Sequence, residues 1–255
     1  MPIPDPTGFL LVLARCAGLV MGAPLFGHLL VPLRGRIGLA LVLAIALAPV
    51  AVTDVTAPPT LWTMAGLVVS ESIVGLVLGF LAQLIFAGVQ LGGQVAGIQI
   101  GFGLANLIDP QSNAQSTVVA EWQQLMALLA FLALDVHHLL LRALFESFAV
   151  VPIGAVVLGP GVLRGVVMKA SEIFAIGMRI AAPVLIVLLL TNAALGVLAR
   201  TIPQLNVFVV GFPVNVGVGL VMLGAALPFT FRFLQQQFGE LGGTLAWVLR
   251  GFAHG

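Results

Sequence analysis

Asp135, His138, Arg142 and Glu146 are spaced three, four and four residues apart in an otherwise apolar stretch. At about 100° per residue they fall within about 80° of one another, on one stripe of a helix. Charges deep in an apolar segment pair with each other or line a cavity, so a buried charge stripe is expected. Three chemistries fit it. Asp135, His138 and Glu146 could relay protons, as in a small proton-coupled secondary transporter. Asp135 with His137 or His138 could hold a metal. Against that, adjacent helical histidines point about 100° apart and no further histidine follows at helical spacing. The charges could also neutralise one another near a helix end or at a subunit interface. Glu172 and Arg179, seven apart, form a similar face, whereas Arg15 and Glu71 are single charges in apolar runs. Those two either meet partners on other helices or snorkel to an interface.

No catalytic motif accompanies these residues. The chain has no GxSxG, no HExxH, no glycine-rich phosphate loop and no Cys/His cluster. Ser70-Glu71-Ser72 has no histidine at readable spacing. The expectation is a protein that is not an enzyme, with no catalytic residue, no cofactor and no bound metal. Cys16 is the only cysteine, so there is no internal disulfide, and it is expected to fill core space as a small hydrophobe.

The elements that position these groups are membrane helices. Of 255 residues, 60% are hydrophobic and 7% charged, and the mean hydropathy is +1.18. Soluble domains average about 25% charged residues, so this surface must face lipid or protein. The apolar runs are continuous rather than alternating, which selects helices over a barrel. A net charge of +1 offers no field for nucleic acid.

The first span runs from about Gly8 to Val31. It reads as uncleaved, because a basic leader is missing and Arg15 interrupts the run. A basic turn at Arg34 and Arg36 follows and argues for a cytoplasmic first connection, while the later connections are nearly balanced in charge and do not fix the orientation. The second span runs from about Ile37 to Val52. An apolar region from Leu61 to Ile108 is next, broken only by Glu71. A straight helix of that length would be about 72 Å, against a hydrocarbon core of about 30 Å, so it must bend or project into protein. Gly92-Gly93 is the expected bend. Further helices are expected from Thr117 to Ser147 and from Val162 to Leu198, the latter kinked at Pro183. A last span ends near Pro228. In the tail, Leu234, Phe238, Leu241, Leu245, Val248 and Phe252 recur at four-three spacing, one face of an amphipathic helix. The fold class is therefore all-α: about six long hydrophobic helices arranged as hairpins plus a C-terminal amphipathic helix. Residues 1–255 form a single membrane domain.

The stretch GGQVAGIQIGFGLANLIDPQSNAQS, Gly92 to Ser116, suits neither lipid nor water. Gly93, Gly97 and Gly101 repeat a GxxxG spacing that lets another backbone approach, and Gly75 and Gly79 do so earlier. Gln83, Gln90, Gln94 and Gln99 require protein or aqueous partners. A close-packed stem follows, or a polar line along a conduit.

Three stretches carry a resemblance: GQVAGIQIGFGLANLIDPQS, LALDVHHLLLRALFESFAVVPIG and RTIPQLNVFVVGFPVNVGVGL. In that order, and with this length and hydropathy, the chain resembles the FliR/SctT family of type III export apparatus membrane proteins. The most specific motif comprises Pro203, Gln204, Asn206, Phe208, Gly211, Phe212 and Pro213. The context of His138 and the run ALFESF before Pro152 look more like the flagellar than the injectisome branch. Asp135-Val136-His137 replaces the family's usual asparagine-glycine before the histidine. The resemblance implies a subunit of the export gate in the bacterial inner membrane, in the flagellar basal body. Its implied partners are FliP, FliQ and FlhB homologues, unfolded exported proteins and membrane lipid. It implies long hairpins partly above the membrane plane. By position it also implies a pore plug at Gly101 to Ser116, with Gly101, Phe102, Gly103, Leu104, Asn106, Leu107, Ile108, Asp109, Pro110, Gln111 and Asn113 as the gating residues. Leu104, Leu107 and Ile108 would seal, glycines and amides would allow movement, and Asp109 would turn the chain before Pro110.

Overall fold

The computed structural model describes residues 6–25, 32–51, 60–103, 116–157, 159–202 and 206–254. The helices are Pro6–Gly22 (α1), Leu33–Ala51 (α2), Leu61–Ile100 (α3), Val118–Ala133 (α4), Val136–Val150 (α5), Pro160–Thr201 (α6) and Val207–His254 (α7). No strand occurs among the described residues. Three of these helices, α3, α6 and α7, are long and apolar enough to cross a bilayer. The protein is an all-α integral membrane protein built of long apolar helices.

Three boundaries differ from the sequence expectation. The helix of α3 continues through Gly92 and Gly93 and does not bend there. A Cβ at Gly92 would lie 2.7 Å from the Gly177 carbonyl oxygen, and one at Gly93 would lie 2.5 Å from the Ala120 Cα. Both glycines are used for close approach of neighbouring helices, so their freedom to bend is not exercised. The helix ends instead at Gly101, whose φ of 117° only glycine adopts readily. Second, the expected helix from Thr117 to Ser147 is broken. Asp135 takes the left-handed φ of 54° and restarts the chain as α5. Third, the amphipathic tail is continuous with the last span. Pro213 and Pro228 both lie inside α7. Proline is tolerated in such helices because neighbouring groups can satisfy the freed carbonyl.

The chain divides into two compact units. One comprises Met1–Leu84, Phe131–Ala170 and Phe238–Gly255. In it α1 meets α3 through reciprocal glycines. Gly18 and Gly22 face the backbone at Ser72–Leu76 and Leu76–Phe80, while Gly75 and Gly79 face the backbone at Arg15–Leu19 and Leu19–Ala23. No side chain separates the helices, so backbone contacts backbone along about one and a half turns. The α2 helix lies against α1. Among the described side chains of α2, those buried are Ala40, Ala44 and Ala48, again small and four apart. The end of α7 belongs to the same unit. Phe238 stands edge-on to Phe131 at 5.7 Å, and the Val157 N–H donates to the Phe252 carbonyl at 3.0 Å. All six tail residues expected on one face are buried.

The other unit comprises Ile85–Ala130 and Ser171–Gln237. Its core gathers Ala96, Ile100, Val119, Val184, Leu188 and Leu223 from α3, α4, α6 and α7. Gly88 and Gly92 of α3 admit Ile176, Gly177 and Ile180 of α6, and Gly219 of α7 admits Ile100.

Candidate functional site

In the second unit the stem of α3 ends in a set of interlocked contacts. Gly97 faces the Thr117 side chain and Gly93 faces Ala120. Thr117 begins α4. Its Oγ1 accepts the Ala120 N–H at 3.2 Å, an N-cap bond, and donates to the Gly93 carbonyl at 3.3 Å. The Thr117 N–H donates to Gln94 Oε1 at 2.8 Å. One glutamine, one threonine and two glycines thus tie the end of α3 to the start of α4. Gln94, one of the amides expected to need a protein partner, has Thr117.

Gly101 is not part of that contact. A Cβ there would lie 2.9 Å from Phe212 Cε2. Phe102 N–H donates back to the Gly97 carbonyl at 2.9 Å, which closes the helix end. The motif at the start of α7 therefore sits beside the end of the stem. Asn206 begins α7 by accepting the Val209 N–H on Oδ1 at 3.3 Å, and Gly211 and Phe212 follow on the first turns. Pro203 and Gln204, together with the Phe208 side chain, lie outside the described residues. So do Leu104, Asn106, Leu107, Ile108, Asp109, Pro110, Gln111 and Asn113; of the residues expected in the plug, Gly101, Phe102 and Gly103 are described. A cavity of about 460 Å³ opens beside this helix end, lined among others by Gln99, Gly101, Asn192, Phe212 and Asn215. Asn215 Nδ2 donates to Asn192 Oδ1 at 2.8 Å, and Asn215 Oδ1 is buried with no hydrogen-bond partner among the described residues.

The first unit holds a second polar node, absent from the sequence-based site. Arg15 and Glu71 have fully buried side chains and form an ion pair at 2.6 Å. Arg15 Nε and Nη2 both reach Glu71 Oε2. Nη1 donates to the Ser147 carbonyl at 2.9 Å and Oγ at 3.1 Å, and Nη2 donates to the Val151 carbonyl at 3.0 Å. The guanidinium lies over the Phe148 ring, 4.4 Å from its centroid. Glu71 Oε1 accepts the Gly154 N–H at 2.9 Å. Gly154 has φ 80°, in a turn where the Ala155 N–H donates to the Pro152 carbonyl. The pair therefore joins α1, α3, the end of α5 and the turn after it. Partners 56 residues apart carry no spacing signal; the available sign was that each is a lone charge in an apolar run.

The charge stripe runs along a face of α5 that the rest of this chain leaves uncovered. It lies on the outside of this chain. His138 and Asp135 side chains are 69% and 73% exposed, and Arg142 and Glu146 are 77% and 49% exposed. The residues of α5 that are buried are Val136, Leu140, Ala143, Leu144 and Ser147. His138, Arg142 and Glu146 lie about 100–180° round the helix from that face, so the apolar face took the core. Within the stripe, Arg142 Nε donates to Glu146 Oε1 at 2.8 Å. The Arg179 guanidinium lies 5.9 Å from the Phe233 ring centroid. Asp135, His137 and His138 cluster at the helix break, their ligand atoms all within 4.8 Å of one another. Cys16 is a free, buried thiol.

Comparison with known proteins places this arrangement. The family of bacterial export proteins, family 1, matches residues 7–241. The chain is 37% identical over 236 residues to the flagellar biosynthetic protein FliR of Bacillus subtilis (strain 168), covering 90% of each chain. It is 34% identical over 238 residues to the protein of that name from Escherichia coli (strain K12), covering 93% of this chain and 90% of the other. The FliR of Aquifex aeolicus (strain VF5) is 28% identical over 244 residues.

Proposed function

The chain belongs to bacterial export protein family 1, and from that membership we propose that it is a subunit of a flagellar type III export gate in the bacterial inner membrane. The observation that carries this reading is similarity to flagellar FliR proteins over about nine-tenths of both chains. The gate assembles with FliP, FliQ and FlhB homologues and passes unfolded flagellar proteins. This subunit acts by packing and gating, and performs no bond chemistry of its own. In this reading Gly101 to Ser116 is the movable seal of the pore.

The contacts at either end of that segment support the role. Thr117 bonds to Gln94 and Gly93 and packs on Gly97, so the chain just after the segment is anchored to the end of α3. Gly101 abuts Phe212, which puts the first plug residue against the family motif.

The test is electrical. Deleting Leu107 to Asn113 in the assembled complex should raise ion leakage across a bilayer while the complex still purifies. Unchanged conductance from an intact complex would remove the plug role and leave the export-gate reading standing.

A further inference from the structure

We infer that Asp135, His137 and His138 form a surface site for a divalent transition-metal ion, of the zinc or nickel class, at the break between α4 and α5.

Asp135, left-handed and just outside the helix, precedes the first turn of α5, which carries His137 and His138. Their ring centroids are 4.1 Å apart. Asp135 Oδ1 and His138 Nδ1 are 3.3 Å apart. Around a tetrahedral ion with bonds of about 2.0–2.1 Å, neighbouring donors lie about 3.3–3.4 Å apart. That edge already has the required length. The third donor lies within 4.8 Å of the others.

Two further observations separate this cluster from an ordinary surface ion pair. Asp135 occupies the N-cap position of α5 yet makes no side-chain capping bond, although capping is what aspartate does best there. Among the described residues it is also the one non-glycine residue with positive φ. Its carboxylate is held beside the imidazoles instead of over the helix end. Independently, His137 Nδ1 is buried with no hydrogen-bond partner among the described residues. No described protein group competes for that nitrogen, which leaves its lone pair available to a metal ion. The site is open, since Asp135 and His138 are 73% and 69% exposed, which leaves a position for water. Two imidazoles and one carboxylate suit zinc, nickel, cobalt or copper(II); calcium and magnesium prefer all-oxygen sets.

The test uses the untagged full-length chain in detergent, titrated calorimetrically with zinc chloride, with nickel chloride as a second probe. One ion per chain is expected, with the visible absorption of tetrahedral cobalt(II) on substitution. His138→Ala, a change at an exposed position, should weaken zinc binding at least tenfold. Asp135→Gly should weaken it similarly while leaving the melting temperature equal or higher, because glycine suits the left-handed φ. A stoichiometry well below one, or affinity unchanged in both variants, would overturn the site. Loss of binding in Asp135→Gly with the fold intact separates ligation from any structural role of that residue.

Discussion

Removing the carboxylate of Glu71 leaves a buried guanidinium with neither water nor a counter-ion. Breaking a buried pair from one side typically costs about 3–5 kcal/mol, much of it the desolvation of the surviving charge. Glu71→Gln should therefore melt well below the parent in detergent, and Arg15→Met should do likewise. The double change Arg15→Met/Glu71→Leu should recover much of the loss, because no charge remains buried. It should not recover all of it. The Gly154 N–H and the carbonyls of Ser147 and Val151 lose their partners, and each such group costs about 1–3 kcal/mol. Thermal unfolding of the four proteins decides the matter; a Glu71→Gln protein as stable as the parent would mean the pair does not hold α1, α3 and the turn together. Residues of this kind were half legible. That Arg15 and Glu71 need partners follows from their apolar surroundings, whereas which partners follows only from the fold.

At the scale of elements, glycine spacing was readable as close approach but not as approach to a particular neighbour. Gly75 and Gly79 meet α1, Gly88 and Gly92 meet α6, and Gly93 and Gly97 meet α4. The expected bend at Gly92-Gly93 failed because the same missing Cβ serves packing and flexibility, and sequence alone does not separate them. The restart at Asp135 was hidden for a related reason. Leu134-Asp135-Val136 carries no glycine or proline, and the apolar periodicity runs through it. By contrast the tail face from Leu234 to Phe252 was legible, because only its periodicity mattered. Gly97→Val tests the stem directly. Its branched side chain would enter the volume of Thr117, and overpacking of this sort costs about 1–3 kcal/mol. The variant should insert into membranes normally and lose co-purification with FliP and FliQ homologues, since the Thr117 contacts to Gln94 and Gly93 must shift. Retained co-purification would show that the stem packing does not matter for assembly.

For the whole molecule, the lengths set the problem. The helices α3, α6 and α7 have 40, 42 and 48 residues. At 1.5 Å per residue they measure about 60, 63 and 72 Å, twice the hydrocarbon thickness or more. Yet their apolar residues reach the outside of this chain: Trp62 is 86% exposed, Leu189 66% and Val221 72%. Surface of that kind beyond the lipid must meet protein. Gly217 and Gly224 mark one such face on α7. They are seven residues apart, so about 20° from alignment, and an added Cβ at either meets nothing within 4 Å. Alanine there removes only the glycine penalty, about 0.5–1 kcal/mol per site in a helix, so the isolated chain should be equally or more stable. A larger side chain would obstruct a partner helix that approaches this row as α1 approaches α3. Gly217→Leu/Gly224→Leu should thus leave the melting temperature of the lone chain unchanged or raised. It should sharply reduce recovery of the complex with FliP and FliQ homologues. A complex recovered in full yield would assign this face of α7 to lipid, because acyl chains accommodate leucine where a packed backbone does not.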